Sequence, residues 1–431
     1  MFKVLFDIWN SPDLRSRIIL TLGIIVIFRV LAYIPAPGVD PGALRGLFAG
    51  SQSLEQIIRL LDLFSGGTLL NFSIIALGLN PYINASIIMQ LLGVAIPKFE
   101  ELQKEGEYGR QKINQYTRYL AVPLALVQAY GTLILIRRNS PELIGDLSPL
   151  NLLAIILTMT AGTILLMWLG ELITEQGIGN GISILIFAGI IARLPVNLGQ
   201  TAQVFNPQNI STILLLISLA LAVIVITVLI NEGQRRILIQ YARRVRGNRL
   251  FGGQSTHLPI RVNQAGVIPI IFAISIILLP SMLAEFFSTA SSPVISDLAV
   301  KVKDFFSNTL YYSSVYFFLV LAFTYFYTGV SFNPTKVADD IKKYGGFIPG
   351  IRPGKATADH LGFILNRITL VGGIFLGIVA ILPFIATEVS GISTLALGGT
   401  SLLIVVSVVI ETTKQLESQL VMRSYEGFLY R

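Results

Sequence analysis

Few side chains in this sequence could do chemistry inside an apolar environment, and they form no catalytic set. Arg29, in IIVIFRVLAYIP, is the one ionisable residue within the long apolar runs. At mid-helix in a bilayer an arginine costs about 2.5–3.5 kcal/mol. It therefore needs a carbonyl or amide partner inside the bundle, or a place near the membrane edge from which to snorkel. Glu171 and Glu175 bound apolar runs rather than interrupt them, so the buried carboxylates that proton or sodium coupling draws on are missing. The two histidines, His257 and His360, lie far apart with no metal-ligand spacing. There is no cysteine, which removes thiolate nucleophiles, disulfides and cysteine metal sites. GIGNGIS (Gly177–Ser183) and LGGTS (Leu397–Ser401) lack the lysine that a phosphate-binding loop requires. These residues point to a conduit rather than an enzyme, with no cofactor and no metal.

One apolar run has an unusual make-up. From Leu63 to Pro97 there are 35 residues without a charge, well beyond the ~20 that cross a bilayer. Gly66–Gly67 breaks it near the start, separating a short helix near Ile58–Ser65 from the span proper. Asn80, Pro81 and Asn84 follow within that span. Leu79, Ile83 and Ile87 share one helical face at i, i+4, i+8, as do Ile182, Ile186 and Ile190 further on. Such faces suit lipid contact, core packing or a pore lining alike. Asn80 and Asn84 occupy an adjoining face, and amides in a span are better tolerated against a partner helix or a water-filled cavity than against lipid. A short re-entrant helix before Gly66–Gly67 could fold into such a cavity and block it.

The elements that must position these residues are membrane helices. Of 431 residues, 53% are hydrophobic and only 13% charged, with a mean hydropathy of +0.71. Soluble domains carry about 25% charge. Cutting at the charges leaves ten apolar regions, 18–38, 73–97, 119–136, 147–170, 176–192, 194–231, 262–284, 305–335, 368–387 and 389–410. A membrane β-barrel would show short alternating segments instead. The start, MFKVLFDIWNSPDLRSR, has acids within it and no small-residue cleavage site after the first apolar run, so that span is expected to be retained. Its Phe2, Leu5, Phe6 and Trp9 suit a short helix on the membrane surface, and SPDL reads as a helix start with proline in the first turn. With the N-terminus inside, Lys and Arg favour the inner segments over the outer ones, Arg193 being counted among the outer, by about three to one. Both termini are then cytoplasmic. Ten spans divide into two fives, 1–200 and 201–431, and an odd number inverts the second half, as in inverted-topology repeats.

Two inner loops exceed what orientation needs. Loop 232–264 carries seven arginines and one acid, and its RRILIQYARR core and RGN turn suit a protruding hairpin. Loop 332–367 contains GGFIPGIRPGKATADH, a shaped non-helical tip. Both suit docking of an acidic protein or nucleic acid.

At this point the chain resembles the SecY/Sec61-alpha family over essentially its whole length. The resemblance rests on LFSGGTLLNFSIIALGLNPYINASIIMQLL (Leu63–Leu92), WLGELITEQGIGNGISILIFAGI (Trp168–Ile190), GQRRILIQYARR (Gly233–Arg244), QSTHLPIRVNQAGVIPIIFA (Gln254–Ala273), FNPTKVADDIKKYGGFIPGIRPG (Phe332–Gly354) and GGTSLLIVVSVVIE (Gly398–Glu411). It implies an all-α integral membrane protein, ten transmembrane helices in two inverted five-helix halves that form a clamshell around a central hourglass pore. The pore ring would be Leu79, Ile83, Ile186, Ile190, Ile271 and Ile404. Such a ring gates by dewetting, excluding ions yet yielding to a passing peptide. The plug would comprise Leu61, Asp62, Leu63, Phe64, Ser65, Gly66, Gly67, Thr68 and Leu69. A lateral gate between the second and seventh spans, flanked by the third and eighth, would carry Gln90, Gln128 and Ser275.

The resemblance also implies partners. Arg352 matches a family arginine needed for coupling to the SecA ATPase or the ribosome. Arg243, Arg244, Arg246, Arg249 and Lys355 join it as docking candidates. SecE and SecG would complete the complex in the bacterial cytoplasmic membrane, and its cargo would be signal peptides and nascent polypeptides, with lipids receiving transmembrane segments. The competing reading from the residues is an inverted-repeat secondary transporter of small solutes, which lacks its coupling carboxylate.

Overall fold

In a bilayer every backbone N–H and C=O must be satisfied within its own segment, so apolar runs fold as helices. The computed structural model describes residues 11–37, 62, 65–69, 71–139, 148–203, 210–241, 244–246, 249–251, 255–288, 292–390 and 398–429. The expected surface helix at Phe2–Trp9, Leu61, Leu63 and Phe64 of the expected plug, and Arg243 lie outside the described residues. Each of the ten apolar regions carries a helix: α1 (Pro12–Leu31), α2 (Asn80–Ala95), α4 (Glu107–Asn139), α5 (Pro149–Gln176), α6 (Gly181–Gln203), α7 (Ile210–Glu232), α8 (Ile268–Phe287), α10 (Thr309–Ser331), α12 (Lys355–Ser390) and α13 (Gly398–Leu429). Shorter helices intervene as α3 (Pro97–Lys104), α9 (Pro293–Ser307) and α11 (Pro334–Lys343). Among the described residues, three stretches are long and apolar enough to cross a membrane by length and composition, Pro149–Gln176, Thr309–Lys343 and Lys355–Ala386. The pair α2–α3, bent by 100°, makes a fourth if it is one span.

Three boundaries differ from the sequence reading. Residues 71–79 are turns, and α2 starts only at Asn80, with Pro81 in its first turn. Asn80 and Asn84 thus stand at the opening of a helix rather than part-way along one. The break at Gly66–Gly67 is followed by a run of turns, not directly by a span. α6 continues through Arg193 and Pro195 to Gln203, where cutting at charges ends a span at 192. α12 starts at Lys355, well inside the stretch read as a loop.

The chain divides into two compact units, one of Met1–Pro207, Ser275–Asn308 and Val408–Arg431, the other of Gln208–Ile274 and Thr309–Ser407. In the first, Ala85 of α2, Ala121 of α4 and Met167 of α5 form a buried cluster, with Tyr82, Leu120 and Leu124 packed on it. Arg118 and Glu171 tie α4 to α5 through a 2.6 Å ion pair. The GIGNGIS stretch is the turn from α5 into α6. Asn180 caps α6 by accepting from the N–H groups of Ile182 (3.1 Å) and Ser183 (3.3 Å).

In the second unit, β1 (Gln234–Tyr241) pairs antiparallel with β4 (Ser255–Arg261), and β5 (Gly346–Phe347) joins the free edge of β1. β2 (Arg244–Arg246) and β3 (Arg249–Phe251) form a separate antiparallel pair. Below the sheet, Asn263 Nδ2 donates to Asn231 Oδ1 (2.8 Å), and Asn231 Nδ2 donates to Ser407 Oγ (2.9 Å). Replacing Asn231 with alanine removes both bonds and should destabilise this unit by about 1–3 kcal/mol, read as a lower thermal midpoint of the detergent-solubilised protein.

Candidate functional site

The turns between α1 and α2 lie beside apolar helices, where non-helical backbone survives only if the protein itself satisfies its polar groups. That requirement is met locally. Gly67 N–H donates to the Asp62 carbonyl (3.0 Å), Ser73 N–H to Thr68 (3.0 Å) and Phe72 N–H to Leu69 (2.9 Å). The Thr68 hydroxyl bonds the carbonyls of Ser65 (2.9 Å) and Ile75 (3.0 Å). The end of α1 clips on as well: Ala36 N–H donates to the Phe72 carbonyl (2.8 Å) and Ile74 N–H to Ile34 (3.0 Å).

Three charged side chains converge on this segment. Asp62 is 1% exposed. Its Oδ1 accepts from Leu69 N–H (3.1 Å) and the Ser65 hydroxyl (3.3 Å), and its Oδ2 pairs with Arg193 Nη2 of α6. Arg29, near the end of α1, donates through Nη1 to the Gly66 carbonyl (3.0 Å) and through Nη2 to the Ala188 carbonyl of α6. Its guanidinium also lies 4.8 Å from the Phe28 ring centroid. Of the two readings the sequence left for Arg29, carbonyl partners within the bundle are what the structure shows.

Backbone contact reinforces the charges. Gly66 has φ +70, open to glycine at little cost, and a Cβ there would stand 2.7 Å from the Gly189 Cα of α6. A Cβ at Gly67 would stand 2.6 Å from Arg193 Nε. The backbone approach at Gly66 leaves no room for a side chain, and at Gly67 (φ +91) a side chain would be strained and would displace the Arg193 guanidinium.

The six aliphatic residues of the expected ring are buried, as is Ile87, whereas Ile182 is half-buried. Leu79 is the residue before α2 and Ile83 lies one turn on, its N–H donating to the Leu79 carbonyl (2.9 Å). Ile186 and Ile190 lie one turn apart on α6 and bracket Ala188 and Gly189. Ile271 lies in the first turn of α8 and Ile404 on α13. Of the three polar gate candidates, Gln90 on α2 donates to Ser86 Oγ (3.3 Å) and leaves its Oε1 buried without a partner. Gln128 on α4 and Ser275 on α8 are half-buried, and α4 packs against α2.

Arg352 and Lys355 belong to one folded module with the β1–β4 sheet, while Arg244, Arg246 and Arg249 stand on the separate β2–β3 pair. Ile237, Ile260, Ile348, Leu361 and Leu365 form a buried cluster that welds the β1–β4 sheet to the tip 346–354 and the start of α12. The sequence reading treats the two basic loops separately; the β1–β5 pairing makes them one surface. Arg352 and Lys355 are exposed, and the Arg352 carbonyl accepts from the Thr357 hydroxyl (2.9 Å). Arg244 and Arg246 stand on β2 and Arg249 on β3, with Arg246 paired opposite Arg249.

Sequence reasoning missed Asp62 and Arg193 as a pair. The signal was present as opposite charges at the ends of two apolar runs, but it needs the tertiary fold to bring the runs together.

Comparison with known proteins adds a family. The SecY family model matches residues 73–413. The protein translocase subunit SecY of Mycobacterium tuberculosis strain H37Rv is 47% identical over 443 residues, covering 100% of both chains. That of Corynebacterium glutamicum is 43% identical over 449 residues, covering 99% of this chain and 100% of the relative. Among solved structures, a protein-conducting channel shares the fold with a TM-score of 0.62 at 19% identity, covering 93% of this chain and 91% of that one. Sec61 in the canine ribosome–channel complex from the endoplasmic reticulum aligns with a TM-score of 0.59 at 18% identity, with the same coverage. A full-length match at nearly half identity does not favour the small-solute transporter reading: this chain belongs to the SecY family, the membrane channel subunits of protein translocases, which are not enzymes by themselves.

Proposed function

We propose that the chain passes unfolded polypeptides through a pore lined at its waist by Leu79, Ile83, Ile186, Ile190, Ile271 and Ile404, plugged at rest by the segment that includes Asp62 and Ser65–Leu69. The observation that carries this reading is the backbone contact between Gly66 and Gly189, which seats the segment on the turn of α6 that bears Ile186 and Ile190. A solved relative supports it: in a structure with a TM-score of 0.61 and 21% identity, the plug domain of the SecY protein is described as stabilising the closed state and maintaining a membrane seal. An aliphatic waist excludes ions by dewetting and grips no peptide strongly.

The finer architecture follows the same reading. Ten spans in two inverted halves, 1–200 and 201–431, place both termini and both basic loops on the cytoplasmic face of the bacterial inner membrane. Gln90, Gln128 and Ser275 mark the lateral gate, where the unpaired Gln90 carbonyl suits a seam that opens to lipid. The surface bearing Arg244, Arg246, Arg249, Arg352 and Lys355 docks SecA or the ribosome, with Arg243 beside it. SecE and SecG complete the complex.

The test uses the absence of native cysteines. Single cysteines at Ile83 and Ile404 should form disulfides with a secretory chain that carries one cysteine and is jammed part-way. A cysteine at Val225, an exposed position on α7, should not. A jammed chain that crosslinks to neither ring position refutes the pore.

A further inference from the structure

Arg29, Asp62 and Arg193 join three elements at one point, and the channel reading above gives no role to Arg29, to Arg193 or to the charge of Asp62. Asp62 anchors the plug segment from inside, since its Oδ1 holds Leu69 N–H and the Ser65 hydroxyl. Through Oδ2 the same carboxylate reaches Arg193, which lies on α6 one turn beyond Gly189. Arg29 bridges the other two partners, holding the plug carbonyl of Gly66 and the α6 carbonyl of Ala188 with one guanidinium. The contact is therefore doubly charged, and it sits next to Ile186 and Ile190.

A structural bolt is the plain alternative. Burying an ion pair, however, gains little over packing apolar residues of the same volume, whereas removing one partner is strongly unfavourable. Such a pair suits a contact that must be either fully made or fully broken. With Asp62 1% exposed, a partly opened contact would leave its carboxylate buried without its counter-charge, which is strongly unfavourable. A shift of the plug segment away from α6 separates Asp62 from Arg193, and a shift of α6 away from α1 separates Ala188 from Arg29.

We propose that Asp62, Arg193 and Arg29 form a charge latch that holds the plug segment on α6, and that breaking the Asp62–Arg193 pair is the step between a sealed and an open channel. This rests on the plug reading above. The three residues are positioning residues: they touch the plug and its seat rather than the translocating chain.

The test uses the full chain, purified with its partner subunits and reconstituted in vesicles, with Leu69→Cys as reporter. Leu69 is buried, and the chain has no other cysteine. Alkylation by a membrane-impermeant maleimide is timed at rest and with a secretory chain jammed in the channel. The reporter alone should react slowly at rest and at least about tenfold faster when jammed. Adding Asp62→Asn or Arg193→Gln should raise the resting rate about tenfold, and the double variant should exceed the larger single by less than about twofold. Gly199→Ala, on the same helix with open space around it, should leave the resting rate within about twofold of the parent, and co-purification of every variant with the partner subunits guards against variants that fail to assemble.

Unchanged resting rates in Asp62→Asn and Arg193→Gln overturn the latch, as does a double variant whose effect is the product of the singles. If jamming never exposes residue 69 in the reporter-only protein, the plug reading itself fails. If jamming exposes it while the charge variants leave the resting rate unchanged, the plug stands and only the latch falls.

Discussion

Gly189→Ala should unseat the plug segment and make the resting channel leak ions, although the same change strengthens the helix that carries it. Two effects oppose each other. Glycine within a helix costs about 0.8–1.0 kcal/mol relative to alanine, so α6 gains on substitution. The added Cβ, however, falls 2.7 Å from the Gly66 Cα, and backbone cannot rotate out of the way as a side-chain tip can. Overpacking of this kind costs about 1–3 kcal/mol. The cost falls on the contact, while the gain falls on the helix. The expected outcome is a well-folded channel with a displaced segment. Gly189→Leu should leak more than Gly189→Ala. Gly199→Ala, on the same helix with open space around it, should stay tight. Planar-bilayer conductance without a translocating chain reads the effect. Parent-like tightness in both Gly189 variants would sink the seat assignment, whatever the fate of the ion pair.

Reversing the charge at Arg352 should nearly abolish motor-driven translocation while leaving the protein folded. The guanidinium is exposed, and the local turn is held through the Arg352 carbonyl and Thr357, which the substitution leaves in place. Arg352→Glu should therefore change stability by no more than about 0.5 kcal/mol. Losing a charge-paired docking contact costs about 2–5 kcal/mol, a fall of roughly 30- to 4000-fold in the coupled rate. Ile348→Ala makes the contrasting case. Ile348 is 6% exposed and packs in the cluster under the tip, so its truncation should cost about 2–5 kcal/mol of stability. Transport of a secretory protein into vesicles, measured beside thermal midpoints, separates the two. If docking involves phosphate groups, Arg352→Glu should also flatten the salt dependence of binding by about one counterion. A translocation rate equal to the parent's in Arg352→Glu would remove the tip from the docking surface.

How much of this was legible beforehand differs by element. The helices were readable because charge-free runs of sufficient length have one favourable fate in a bilayer. The β1–β4 pairing was readable from the strand-like residues of RRILIQYARR between basic clusters and from the RGN turn signal in the sequence. The end of α6 was not. Arg193 reads as a loop residue on hydropathy, yet the helix runs through it and its charge is met by Asp62. The start of α12 was hidden for a similar reason. Polar residues from Lys355 to Asn366 resemble a loop, but Leu361 and Leu365 recur at helical spacing and bury against the sheet.

The sequence by itself determined that this protein is a bundle of membrane helices with basic loops, aliphatic faces and no catalytic set. Those properties depend on neighbours within a few turns, and period and hydropathy record them directly. Only the tertiary structure decided what Arg29 bonds, that Asp62 meets Arg193, and that two basic loops share one sheet through β1 and β5. The reason is physical. A charge in an apolar setting announces that it needs a partner, but the partner is chosen by chain segments packing far apart in sequence, and no local pattern encodes that choice.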